Sequence, residues 1–153
     1  MNGLRDTLHR RAICHSIGRI VEEDFVTAAL ITLHCSAAVV MPPDLAKRVF
    51  KTWAYKLQRA IGSPFRYIRI TDYGPHPIPE VVFHVIADLP LDTCVRACGE
   101  WCMGKSSVSP LDEEGTDRIA RAVVYQSAVP GAQIWSYCSG KQRPRPRAGL
   151  SRQ

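Results

Sequence analysis

Several absences in these 153 residues constrain the protein before any motif does. No window approaches the ~20 uncharged apolar residues of a membrane-spanning helix. The longest apolar stretch, FVTAALITLHCSAAVVM, is interrupted by a His and several small polar residues. The first 25 residues mix charges throughout and lack the apolar core and cleavage site of a secretory signal, so a cytoplasmic protein is expected. No Cys-x-x-Cys pair occurs, which removes the common zinc-knuckle pattern. There is no internal repeat, and the last thirteen residues, KQRPRPRAGLSRQ, contain no acid.

That last absence divides the charge. The chain carries 20 Lys and Arg against 14 Asp and Glu, a formal net charge of +6. Lys141, Arg143, Arg145, Arg147 and Arg152 account for five of the bases, leaving 15 bases and 14 acids in residues 1–140. The body is nearly neutral and is followed by a basic segment over 141–153, where alternating Arg and Pro predict an extended, mobile tail. A histone-like protein, with cations spread over its folded surface, is excluded. Hydrophobic residues at 46% and charged residues at 22% are ordinary for a globular domain, and a chain of ~150 residues buries roughly 70% of its unfolded surface.

Periodicity gives the elements. Leu4, Leu8, Ala12, Ile13, Ile17, Ile20 and Val21 recur at helical spacing over 4–22, with the basic run His9, Arg10, Arg11 and Arg19 largely opposite. Residues 25–35 alternate as a strand. Pro43 suits the first turn of a helix over 43–61, with Leu45, Val49, Trp53, Leu57, Ala60 and Ile61 inward and Gly62 ending it. RYIRITDY (66–73) alternates Tyr, Arg and Thr against Ile, Ile and Asp, a half-buried strand. The loop GPHPIP (74–79) then joins it to an antiparallel partner over 80–88. A helix over 90–102, a short strand in SSVSPL, a helix over 112–127 with an acidic first turn and a strand over 133–139 complete the chain. The expected architecture is α+β: an antiparallel sheet of about five strands with packed helices.

Cys94, Cys98 and Cys102 recur every fourth residue, along one face if the helix runs through all three. They are read as small buried hydrophobes; a thiolate metal or redox site is the other reading of that stripe.

Taken in order, these segments resemble the catalytic domain of HUH rolling-circle replication initiators, the Rep proteins of small plasmids and filamentous phages. LITLHC (30–35) stands where that family has its first apolar strand motif, and RVFKTWAYKLQR matches the following aromatic and basic helix. YIRITDYG (67–74) and VFHVIAD (82–88) stand in place of its acidic strand and its His-hydrophobic-His strand. WCMG (101–104) echoes its Trp-x-x-G element, and IARAVVYQSA its helix with a nucleophilic Tyr. The resemblance covers roughly residues 26–140, and the chain is read as an N-terminal helix over 1–24, a Rep-like domain over 25–140 and a basic tail over 141–153.

The chemistry implied is metal-dependent transesterification. A divalent Mg or Mn, held by two imidazoles and an acid, polarises a scissile phosphate, and a Tyr hydroxyl attacks it to leave a phosphotyrosyl link and a free 3′-OH. Carried over residue by residue, Tyr125 is the candidate nucleophile and His84, Asp72 and His34 are the candidate metal ligands. Val82 occupies the first His position, position 128 is Ala where the family often has Lys, and His76 lies in the 74–79 loop without fixed geometry. Each residue has an ordinary structural alternative: His84 as a half-buried hydrogen-bonded imidazole, Tyr125 as a core-edge aromatic, Asp72 as turn chemistry.

Arg66, Arg69, Lys47, Lys51, Lys56 and Arg59 offer contacts to phosphate and Tyr67 a ring to stack on a base, with Lys141, Arg143, Arg145 and Arg147 as a sequence-independent anchor. Two functions follow. One is a DNA-binding, DNA-replication protein of a mobile element, acting on single-stranded or origin DNA, with impaired or altered nicking. The other is a non-catalytic descendant that binds a protein or nucleoprotein partner, such as a host defence complex.

Overall fold

The computed structural model describes residues 2–36, 41–73, 80–126 and 134–140. Its organising feature is a strand with two different sides. In β1 (Ala29–His34), Ala29, Ile31 and Leu33 are fully buried on one side, while Leu30, Thr32 and His34 are half-buried on the other. Around it form α1 (Asn2–Asp24), α2 (Pro43–Ile61), β2 (Tyr67–Asp72), β3 (Val82–Ala87), α3 (Leu91–Gly99), β4 (Ser106–Pro110), α4 (Glu113–Gln126) and β5 (Trp135–Cys138). The five strands make one antiparallel sheet in the order β4-β1-β3-β2-β5, so the α+β class and the pairing of β2 with β3 are as expected.

Local chemistry fixes the ends. Pro43 occupies the first turn of α2, and Gly62 ends that helix at φ 83°, its N–H donating to Gln58 O at 2.9 Å. The Asp112 carboxylate accepts from the Gly115 N–H at 2.6 Å and caps α4. Asp88 fastens the turn between α1 and β1, its Oδ1 accepting from the N–H groups of Val26 and Thr27 at 3.0 and 2.9 Å.

Helices cover both faces of the sheet. On one, Phe50, Trp53 and Leu57 of α2 and Cys94 and Ala97 of α3 pack on Ile31, Leu33, Phe83 and Val85. On the other, Ile17 and Val21 of α1 and Ala120 and Val123 of α4 pack on Ile68, Ile70 and Ile86. Coverage of both faces overturns the half-buried reading of β2: Arg69 and Thr71, on the α2 side, are 4% and 1% exposed, as buried as Ile68 and Ile70 on the opposite face.

Two helices differ from expectation in length. α1 has 23 residues, ~34 Å at 1.5 Å per residue, whereas a six-residue strand spans ~20 Å. Its first turns therefore outrun the sheet, and Leu4 and Leu8, read as inward from sequence, are 72% and 56% exposed. α3 ends at Gly99, so Cys102 lies beyond the helix and is exposed, while Cys94 is buried and Cys98 half-buried. All six cysteines are free thiols. No helix among the described residues is long and apolar enough to cross a membrane.

Candidate functional site

The register of the sheet gathers the predicted polar residues at one end. His34 of β1 and Asp72 of β2 are both paired with Val82 of β3, so the three form one row across the sheet with their side chains on one face. His84, two residues on, shares that face between Thr32 and Ile70. His34 and His84 are therefore diagonal neighbours across β1 and β3. α4 packs over this face. It enters beside Ala28, whose carbonyl accepts from the Leu111 N–H at 3.2 Å, and Thr116, Ala120 and Val123 are buried along its length. Tyr125 is borne near its C-terminal end, away from that entry, and its side chain lies outside the described positions, as does His76.

Electrostatics holds His84 neutral. Burial lowers its pKa from 6.5, Asp72 opposes that shift and His34 reinforces it. Its Nδ1 is buried and has no hydrogen-bond partner among the described residues. His34 points its Nδ1 at Glu80 Oε1, 3.6 Å away, with both side chains partly exposed. Glu80 thus joins the cluster unexpectedly; its only sequence signal is its place as the first acid after the 74–79 loop. The fit to a divalent metal is poor. Val82, an aliphatic side chain, stands between His34 and Asp72, two strand spacings or ~9–10 Å apart. Among the described residues, no three His, Cys, Asp or Glu are grouped to hold a metal ion.

The Trp-x-x-G element clasps the end of β1. Trp101 Nε1–H donates to His34 O at 2.9 Å. Gly104 lies against the same carbonyl, where a Cβ would collide with the oxygen. The Lys105 carbonyl accepts from the His34 N–H at 2.8 Å, and the Met103 carbonyl from the Ser36 N–H at 2.9 Å. The element positions His34 from the main chain.

The expected nucleic-acid contacts divide. Arg69 lies beneath α2 with its guanidinium 5.6 Å from the Phe50 ring centroid, and burial lowers its pKa against the neighbouring Tyr73 and Tyr67. Tyr67 packs on Phe50 and Phe65, and its hydroxyl is pushed up to about 12 by burial and by Cys138 beside it. Arg69 is therefore buried and Tyr67 is half-buried against the core, where a surface phosphate contact and a stacking ring were expected, because α2 covers their face. Arg66 is exposed and donates from Nη1 to Asp24 O at 2.7 Å, capping the C-terminus of α1. Lys141, Arg143, Arg145 and Arg147 lie outside the described residues.

Lys51 and Arg59 are exposed, as are Lys47 and Lys56, and α2 joins them to two residues the sequence reading did not select, Arg48 and Tyr55. Ala46, Phe50, Trp53, Ala54 and Leu57 face the core. That phase leaves two i, i+4 rows outward: Lys47, Lys51, Tyr55 and Arg59, and beside them Arg48, Thr52 and Lys56. The helix holds five bases against one acid, Asp44. Elsewhere three exposed bases pair with carboxylates four residues away: Arg19 with Glu23 at 3.0 Å, Arg118 with Glu114 at 3.6 Å, Arg121 with Asp117 at 2.9 Å. Among the described residues no ion pair forms on α2; Arg59 instead sits 5.9 Å over the Tyr55 ring.

No family model, no curated protein and no solved structure matches this chain.

Proposed function

We propose that this protein binds nucleic acid through the outer face of α2, as a Rep-like protein of a plasmid or phage. The observation that carries the reading is the double row of cations on α2, five bases against the single acid Asp44, which form no ion pair among the described residues. Such a row is suited to a string of phosphates, where each contact releases condensed counterions. Element order, the Trp-x-x-G clasp on His34, and a Tyr-bearing helix over the face of His84 support the Rep-like assignment.

The test is a salt titration. A 20-nucleotide single strand is titrated with the parent and with the double variant Lys51→Gln/Arg59→Gln. Loss of two phosphate contacts reduces the slope of log K against log salt by about 1.4, at about 0.7 per contact for single strands, with weaker affinity at low salt. An unchanged slope and affinity refute the reading.

Nicking is the second reading, supported by the placing of His34, Asp72 and His84 on one sheet face, the face that α4 covers. In it the Tyr125 hydroxyl displaces the 3′ oxygen of a phosphodiester and keeps the 5′ phosphate as an ester. A covalent protein–DNA adduct that the Tyr125→Phe variant cannot form is the expected signature. Absence of an adduct from the parent protein with Mg²⁺ and Mn²⁺ leaves a binding protein without catalysis.

A further inference from the structure

Beside the cationic rows of α2 lies a cavity of about 360 Å³, between that helix and residues 100–103. It falls at the small end of the ~300–1,000 Å³ typical of ligand sites. Its floor is Leu45, Val49, Trp53, Trp101 and Met103. Both indoles have their polar atom turned away from it: Trp53 Nε1–H donates to Ala97 O at 3.2 Å and Trp101 Nε1–H to His34 O at 2.9 Å. The rings are fixed nearly perpendicular, at 87° with centroids 6.5 Å apart, and they offer the cavity carbon only. The rim is different. Arg48, Thr52 and Lys56, the second outward row of α2, border it, against one acid, Glu100.

An apolar slot with a cationic lip suits a ligand that joins a flat, weakly polar ring to an anion. We propose that the slot receives one unpaired base of a single-stranded nucleic acid, whose flanking phosphates lie on Arg48 and Lys56. This deepens the proposed function and rests on it. The continuity of the lip with the phosphate-binding row selects this occupant: a strand held along Lys47, Lys51 and Arg59 passes the mouth of the slot. A duplex cannot fill it, because its bases are stacked and paired, whereas a single strand can turn one outward. The aromatic and aliphatic side chains of the floor offer no free donor or acceptor, and the Cys102 thiol, which also lines the slot, is a weak one, so the slot accepts a base with little reading of its edge.

The experiment compares twelve-residue oligothymidylate with an abasic strand carrying the same phosphates, following affinity and tryptophan emission. The parent protein binds the thymidylate about tenfold or more tightly than the abasic strand, the order of one base stacked on aromatic surface, and its emission changes only with the thymidylate. Thr52→Phe, at an exposed helix position, plugs the mouth. It abolishes the preference while leaving abasic binding and the thermal midpoint unchanged. Lys51→Gln/Arg59→Gln weakens both strands alike. Equal binding of the two strands by the parent overturns the slot and leaves the α2 reading standing; binding of neither overturns both. Thr52-dependent binding of an acidic amphipathic peptide, with no preference for thymidylate, assigns the slot to a protein partner and also overturns the proposal.

Discussion

The indole of Trp101 and the backbone of His34 are joined by a 2.9 Å hydrogen bond from Nε1–H to the carbonyl oxygen, 67 residues apart in sequence. Trp101 is 7% exposed and also packs on Phe83 and Trp53. One ring thus ties the segment after α3 to the end of β1 and forms part of the floor of the apolar slot. Gly104 presses on the same carbonyl. A Cβ there meets backbone, which cannot swing aside, so Gly104→Ala is expected to cost about 1–3 kcal/mol as overpacking. Trp101→Phe removes one donor, about 0.5–1.5 kcal/mol. For a domain of this size each kcal/mol lowers the thermal midpoint by roughly 2–4 °C. A Gly104→Ala midpoint equal to that of the parent contradicts the clasp.

His84 gives the fold a dependence on pH with a definite sign. Its folded pKa lies below 6.5, because burial and His34 disfavour the cation more than Asp72 favours it. The unfolded chain takes up a proton that the folded one resists. The contribution of His84 to stability is therefore complete above pH 6.5 and is lost as pH falls through its lowered folded value. Denaturation curves between pH 7.5 and 5 should show a steeper loss for the parent than for His84→Gln. Parallel losses contradict a buried neutral imidazole.

Much of the architecture was legible because the relevant signals are local. Pro43 and Gly62 bracket α2, alternation marks β1, and the short interval between Asp72 and Val82 implies the antiparallel pair. The strand order was not legible, since β4 reaches β1 through pairings such as Leu33 with Ser106, which no local pattern encodes. The partner of the Tyr67, Arg69 and Thr71 face was hidden too. Alternation shows that a strand has two sides but not that a second helical layer covers the more polar one, and the aliphatic stem of Arg69 allows it to be covered. At the candidate site, His84 and Asp72 were visible as motif positions. The contribution of Glu80 depends on register, and those of Arg48 and Tyr55 on the rotational phase of α2.

Val82 is the residue that separates the polar row from a metal site, and the register says what would repair it. Val82 and His84 are two apart on one strand and face the same way, with Asp72 and His34 as direct neighbours of position 82. Val82 is half-buried, so an imidazole can be accommodated. Val82→His is expected to create a Mn²⁺ site, where the described residues of the parent group no three ligands. At a hundredfold excess over Kd the ion stabilises the folded chain by about 2.7 kcal/mol, a rise of roughly 5–10 °C in the unfolding midpoint. Adding His84→Ala to Val82→His should remove the rise. A parent protein that responds to Mn²⁺ as strongly as the variant shows that the existing ligands suffice, and turns the functional reading toward nicking.

The cations of residues 141–153 lie on Pro-Arg sequence outside the described residues, whereas those of α2 are fixed to a helix. The two sets should therefore separate in a binding experiment. Five bases leave with a deletion of 141–153, and if all five meet phosphate, the single-strand salt slope falls by up to about 3.5. The thermal midpoint should not change, because the remaining 140 residues include both core clusters. The preference for a thymidylate strand over an abasic one should also survive, since it originates beside Thr52. A deletion that abolishes this preference would mean that the base is held by the C-terminal segment instead of the slot. A deletion that leaves the slope intact would assign the whole electrostatic contribution to α2.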